Sequence, residues 1–189
     1  MPKSCRGVLP NGFNDWGMAK GYSFFIGGYM KNRYEINGDV TTVYDSKGRT
    51  FLIDTDMIEY VGRMKWFVQP DKQRVMSTES HITLHRYLLG SKCESIDHIN
   101  RNRLDNRMSN LRACTTMQNN MNRGRFKSNT SGYKGVTFDK SKGKYKASIG
   151  LGYKRIHIGY YCTAEEAGEA YKRRANELYG EYSPYSSRN

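Results

Sequence analysis

The sequence predicts an α+β protein built from two small units in succession. Three observations carry that expectation. Short β-prone runs separated by turn signals fill the stretch up to about residue 83. A polar run rich in Arg and Asn follows and shows helical spacing. Beyond residue 132 the pattern is strand, strand, strand, helix, which is a complete two-layer module. The length of 189 residues leaves room for one ordinary domain or two small ones.

The first unit opens with residues 1–33, rich in Gly, Asn and aromatics and without a clear period. From Tyr34 to Ile53 the pattern is a hairpin. Thr41–Tyr44 and Thr50–Ile53 are the β-prone runs, with a turn over Asp45–Gly48. Asp54 or Thr55 can cap a short helix that places Ile58 and Val61 inward. Trp66–Val68, Arg74–Met76 and His81–Thr83 read as short strands. Leu111, Cys114, Gln118 and Met121 follow helical spacing, so Ser109 to about Asn122 is expected to be one helix, although Gln118 interrupts its apolar stripe.

Arg123–Gly132 is polar, basic and glycine-containing, the composition of a linker. The expected boundary therefore divides 1–125 from 126–189. In the second unit, 135–138, 145–149 and 155–159 are the strands. Thr163 and Glu166 form a capping box, and the helix that follows turns Ala167, Ala170, Tyr171, Ala175 and Leu178 inward. Gly180 is its natural stop.

Charge narrows the partners. The net charge is +13, which favours a polyanion, nucleic acid first and an anionic membrane surface second. No 18-residue apolar run exists, so no spanning helix is expected. Met1–Lys20 lacks the apolar centre of a signal peptide, and the expected location is intracellular, in the cytoplasm. Residues 126–160 hold eight basic residues and one acid, Asp139, whereas acids gather from Glu165 to Glu181. Cys5, Cys93, Cys114 and Cys162 lie far apart with no C-x-x-C pair, so no structural zinc is expected and the thiols are read as reduced and mostly buried.

The informative run is Ile96 to Arg112, IDHINRNRLDNRMSNLR. It delivers Asp97 and His98 at a strand end, where adjacent side chains point to opposite faces unless a twist or bulge intervenes. Phosphodiester hydrolysis needs a base near neutral pH, which a neutral imidazole supplies. It also needs a cation on the leaving oxygen and the phosphate, and a hard metal takes carboxylate and amide oxygens. An Asp-His pair alone is most often structural. Beside this many Asn and Arg residues it reads as a site, with Arg86, Arg101, Arg103, Arg107 and Arg112 as phosphate contacts.

The segment LHRYLLG…SIDHINRNRLDNRMSNLRACTTMQNNMN, residues 84–122, resembles the HNH endonuclease motif of phage and bacterial homing endonucleases. The resemblance implies a ββα-metal site. It implies His98 as general base, Asn110 as the catalytic-loop brace, and Asp97 and Asn119 as metal ligands. Asn106 is an alternative to Asn110, and Asn120 or Asn122 to Asn119. Asn rather than His at the helix position suits one Mg²⁺, with Mn²⁺ as an alternative, and disfavours zinc. The upstream strands and His85-Arg86 fall in the region that precedes such motifs.

Residues 132–180 resemble the plant APETALA2/ethylene-response-factor DNA-binding domain, through GYKGVTFDKSKGKYKASIG, the Ile-His-Ile-Gly strand and TAEEAGEAY. That family lays its sheet in the major groove. The matching exposed positions here are Lys134, Thr137, Lys144, Lys146, Arg155 and His157, with Arg155 best suited to read guanine. Several Arg and Trp positions of that family are instead Thr, Asp139, Ser148, Gly150 or His, so the plant base preference does not carry over. The expected function is metal-dependent cleavage of double-stranded DNA, as a site-specific homing enzyme of a mobile element or phage, working as monomer or homodimer. The alternatives are a non-catalytic DNA-binding regulator and a structure-specific or RNA nuclease.

Overall fold

The computed structural model describes residues 30–90 and 92–186, so most of the opening stretch 1–33 and Cys5 lie outside the described residues. The described chain divides into two compact units. One takes residues up to His98 together with Asn102–Cys114. The other takes Ile99–Arg101 together with Thr115 onward.

The first unit begins with a three-stranded antiparallel sheet: β1 (Arg33–Asn37), β2 (Val40–Tyr44) and β3 (Thr50–Asp54). Asn37 pairs with Val40 across a two-residue turn in which Gly38 takes φ +60°, a conformation that favours glycine. Helix α1 (Ile58–Gly62) leads to the hairpin of β4 (Trp66–Gln69) and β5 (Arg74–Ser77). Val43, Phe51, Ile53, Val61, Trp66, Val75 and Leu84 are the almost fully buried centre of its core. Asn32 secures the interior by donating to the carbonyls of Tyr44 and Trp66 and accepting from the Trp66 amide.

Three expectations for this unit are corrected. His81–Thr83 forms no strand. Thr83 makes a single bridge to Met76, and the next residues wind into α2 (Leu84–Leu89), where a strand region was expected. The expected helix from Ser109 to Asn122 is three elements: a 3-10 turn (Met108–Asn110), strand β7 (Leu111–Cys114) and helix α3 (Thr116–Asn122). Strand β6 (Ser95–His98) pairs with β7 residue for residue, and that tertiary pairing overrides the helical spacing. Finally, Asp54 caps no helix through its side chain. Its Oδ2 accepts the Met108 amide instead, at 2.6 Å.

In the second unit α3 begins at a capping box. Thr115 accepts from the Gln118 amide, while the Gln118 side chain accepts from the Thr115 amide. That explains the polar residue in the supposed apolar stripe. Three strands follow, β8 (Val136–Asp139), β9 (Lys144–Leu151) and β10 (Lys154–Tyr161), in the order β10-β9-β8. Helix α4 (Ala164–Tyr179) packs against this sheet behind its own capping box of Thr163 and Glu166. Ala167, Ala170, Tyr171, Ala175 and Tyr179 are buried, and Leu178 packs half-buried against the same cluster. Gly135 sits at φ +73°, and a Cβ there would lie 2.1 Å from the Tyr171 ring. The stretch expected as a linker is tied to β8, since Ser131 Oγ and Asn129 Nδ2 both donate to the Val136 carbonyl. Among the described cysteines none is bonded to another, and Cys162 is exposed rather than buried.

Candidate active site and nucleic-acid interface

The β6–β7 hairpin sets the register of the chemistry. Asp97 faces Arg112 across the ladder and His98 faces Leu111, with no bulge in the pairing. Asp97 and His98 are both buried, at 5% and 6% exposure. Arg112 places Nε and Nη2 on one oxygen, Asp97 Oδ2, at 3.0 and 2.7 Å. A buried carboxylate requires such a partner, because an uncompensated charge there is costly.

His98 sits between two side chains from the first unit. Its ring stands edge-on to His85, with centroids 5.2 Å apart. Its Nε2 lies 3.4 Å from Asn106 Oδ1, a long contact. The Asn106 amide nitrogen points to the Arg103 carbonyl, so its oxygen faces the imidazole. In that orientation Nε2 is the nitrogen that donates to Asn106. Burial is the main force pushing the His98 pKa down, with the Asn106 bond and the Asp97 charge opposing it. His85 is pushed down to about 3, first by burial and then by the charges of His98 and nearby arginines. Its Nε2 meets Thr83 Oγ1 at 3.1 Å.

The loop after β6 is fixed from both sides. Leu52 of β3 donates to the Leu104 carbonyl and accepts the Asn106 amide, making a parallel bridge with Asp105. Asn110 Nδ2 donates to the Asp105 carbonyl at 2.7 Å, so this buried amide braces the loop. Arg107 clasps the Asp105 carboxylate with two nitrogens at 2.8 and 2.7 Å. In the sequence Asp105 has no role within the motif, and Asp54 reads only as a helix cap; their contacts with Arg107 and Met108 are tertiary or loop contacts that the sequence pattern does not signal.

The arginines separate into two groups. Arg112 and Arg107 hold carboxylates, and Arg86 donates to the Cys93 carbonyl. Arg101 and Arg103 are exposed, and Arg103 reaches the Lys72 carbonyl at 3.3 Å. Among the described residues no group of three or more His, Cys, Asp or Glu side chains is placed to hold a metal ion. Asn119 belongs to α3 in the second unit, where it is half-buried, as does Asn122, whose Nδ2 donates to the Ile99 carbonyl.

The second unit carries the basic sheet. Ala147 and Ile149 of β9 face the core beneath α4. By the two-residue alternation, Lys144, Lys146 and Thr137 lie on the other face. Arg155 and His157 join them there through their pairing with Gly150 and Ser148. The His157 and Tyr160 rings lie 4.9 Å apart, and Lys142 Nζ stands 4.0 Å over Tyr160. Asp139, the lone acid, is occupied in its own turn by the Ser141 amide and hydroxyl. Lys134 departs from this face. Its ammonium donates to the Met121 and Arg123 carbonyls at the end of α3. Burial there, with the charges of Arg101 and Arg123, pushes it down to about 8.

A family model described as HNH endonuclease matches residues 92–121, the stretch from Asp97 and His98 to Asn119. An uncharacterized HNH endonuclease of Acanthamoeba polyphaga mimivirus is 33% identical over 144 residues, covering 72% of this chain and 74% of that protein. Protein 3.8 of Escherichia phage T7 is 30% identical over 90 residues, 48% of this chain and 74% of that one. No solved structure matches the chain significantly. The chain belongs to the HNH endonuclease family, and it is a nuclease. Among the described residues no helix is long and apolar enough to cross a membrane.

Proposed function

We propose that the protein is a metal-dependent, site-specific endonuclease of double-stranded DNA, with His98 as its general base. The observation that carries this reading is the buried imidazole of His98 beside Asn106, within the segment matched by the HNH family. A neutral ring at pH 7 accepts the proton of an attacking water. Asn106 holds the ring orientation, and Asn110 holds the loop that carries Asn106.

The donor chemistry fits a hard divalent cation such as Mg²⁺ or Mn²⁺. Asp97 would supply a carboxylate and Asn119 an amide oxygen to such an ion. When bound, such an ion neutralises charge on the phosphate and the departing 3′-oxygen. Arg112 orients the Asp97 carboxylate.

The strand-strand-strand-helix unit acts as the DNA-reading module, of the APETALA2/ethylene-response-factor kind. Lys144 and Lys146 position the phosphates, while Arg155 and His157 contact base edges. A homing role in a mobile element or phage rests on the resemblance of residues 84–122 to the motif of homing endonucleases. The test is cleavage of supercoiled plasmid and genomic DNA with Mg²⁺, Mn²⁺ or EDTA. Cutting with either ion and none in EDTA is expected, and the ratio of open circle to linear product separates nicking from double-strand cutting. Salt-sensitive binding to duplex DNA without metal-dependent cutting of either substrate supports a non-catalytic regulator instead.

A further inference from the structure

Arg101 lies three residues beyond His98 and adopts φ +64°, left-handed backbone that side-chain-bearing residues avoid. The turn would form at lower cost with glycine there. Its side chain is exposed, and among the described residues it holds no carboxylate.

Around it the last turn of α3 collects two more cations. Asn122 ties the carbonyl of Ile99 to that turn, which brings Ile99–Arg101 to it. Arg123, also exposed, is the residue that ends the helix. Lys134 fills the carbonyls of Met121 and Arg123. One cation suffices to answer the partial negative charge of a seven-residue helix end. Lys134 bonds the Arg123 carbonyl and Arg101 follows the Ile99 that Asn122 holds, so the three cations gather at this helix end, and no acid among the described residues forms an ion pair with any of them. Arg123 also reaches Asn120 Oδ1 and lies over the Phe126 ring, but none of the described contacts accounts for the strained backbone of Arg101.

We infer that Arg101, Arg123 and Lys134 form a phosphate grip for the DNA backbone, and that the strained backbone of Arg101 is retained to present its guanidinium there. This rests on the reading of the chain as a DNA endonuclease and adds a positioning site outside both His98 and the basic sheet. Lys134 supplies fixed charge from behind, and the two exposed guanidiniums meet phosphate oxygens.

The test is binding of a fluorescent duplex to the full chain in EDTA across a range of salt, with melting temperatures measured alongside. Arg101→Gly is expected to bind several-fold more weakly and to lower the slope of log affinity against log salt by about 0.9, one phosphate contact. It is also expected to melt about 1–4 °C higher, because the strain is gone. Arg101→Lys, which keeps the charge, retains the wild-type slope. An unchanged slope in Arg101→Gly, or a lower melting temperature, overturns the inference. So does a lysine variant that behaves like glycine. Because binding is read without metal, loss of cutting alone tells against the nuclease reading and leaves this result standing.

Discussion

His98 and His85 are two of the four histidines in the chain, and both pKa values fall through burial. For His85 the linkage has a definite sign. Its folded value is about 3 against 6.5 for the free side chain, so the unfolded chain binds the extra proton between those limits. Stability is therefore full above pH 6.5 and is lost as the pH falls toward 3. Urea unfolding across that window should show a slope of up to about 1.4 kcal/mol per pH unit from this residue. His85→Gln should flatten that part of the profile, and a profile unchanged by the substitution would contradict the assignment. Asp97 and Arg112 make a prediction of a different kind. Both are largely buried, so Arg112→Met strands a carboxylate and should cost about 3 kcal/mol in chemical denaturation. A cost under about 0.5 kcal/mol would mean that water already solvates Asp97.

At the scale of elements, Gly135 and the Thr115 cap are the sharpest tests. Gly135→Ala meets both a left-handed φ and the Tyr171 ring, and should destabilise the second unit by about 3 kcal/mol or more in thermal melts. Thr115→Ala removes one half of the α3 capping box and should cost about 1 kcal/mol. From β8 to α4 the second unit was almost wholly legible in the sequence. Its strands alternate, its turns contain Gly, and its helix opens with a hydroxyl and a carboxylate in reach of each other. The first unit was legible only in part. Asn37-Gly38 is a hairpin signal that marks β1, yet it went unused. Leu111–Cys114 shows helical spacing with its neighbours and becomes a strand only because Ser95–His98 lies beside it. The site shows the same divide. Asp97, His98 and Asn110 were visible as a motif, whereas the partners Asn106–His98, Arg112–Asp97 and Leu52–Asp105 depend on tertiary contacts.

The whole molecule divides its chain in an uneven way. The HNH-matched residues 92–121 run from the first compact unit into the second, with β6 and β7 in one and α3 in the other. Helix α3 is thus part of the second unit's own core, since Met121 packs with the cluster of Ile149 and Tyr171. A fragment starting at Thr115 should fold with a cooperative melt, and one starting at Phe126 should be less stable, as circular dichroism would report. Equal stability of the two would place α3 outside that unit. The function proposed for the whole chain has one buried imidazole performing the cutting while other parts of the chain hold the DNA. The measurement that tests it most directly compares wild type with His98→Ala on supercoiled plasmid in Mg²⁺ or Mn²⁺, with duplex binding followed in parallel. With His98 as general base, cleavage is expected to fall about 10²–10⁴-fold with binding essentially intact. Cleavage by His98→Ala at the wild-type rate would contradict it.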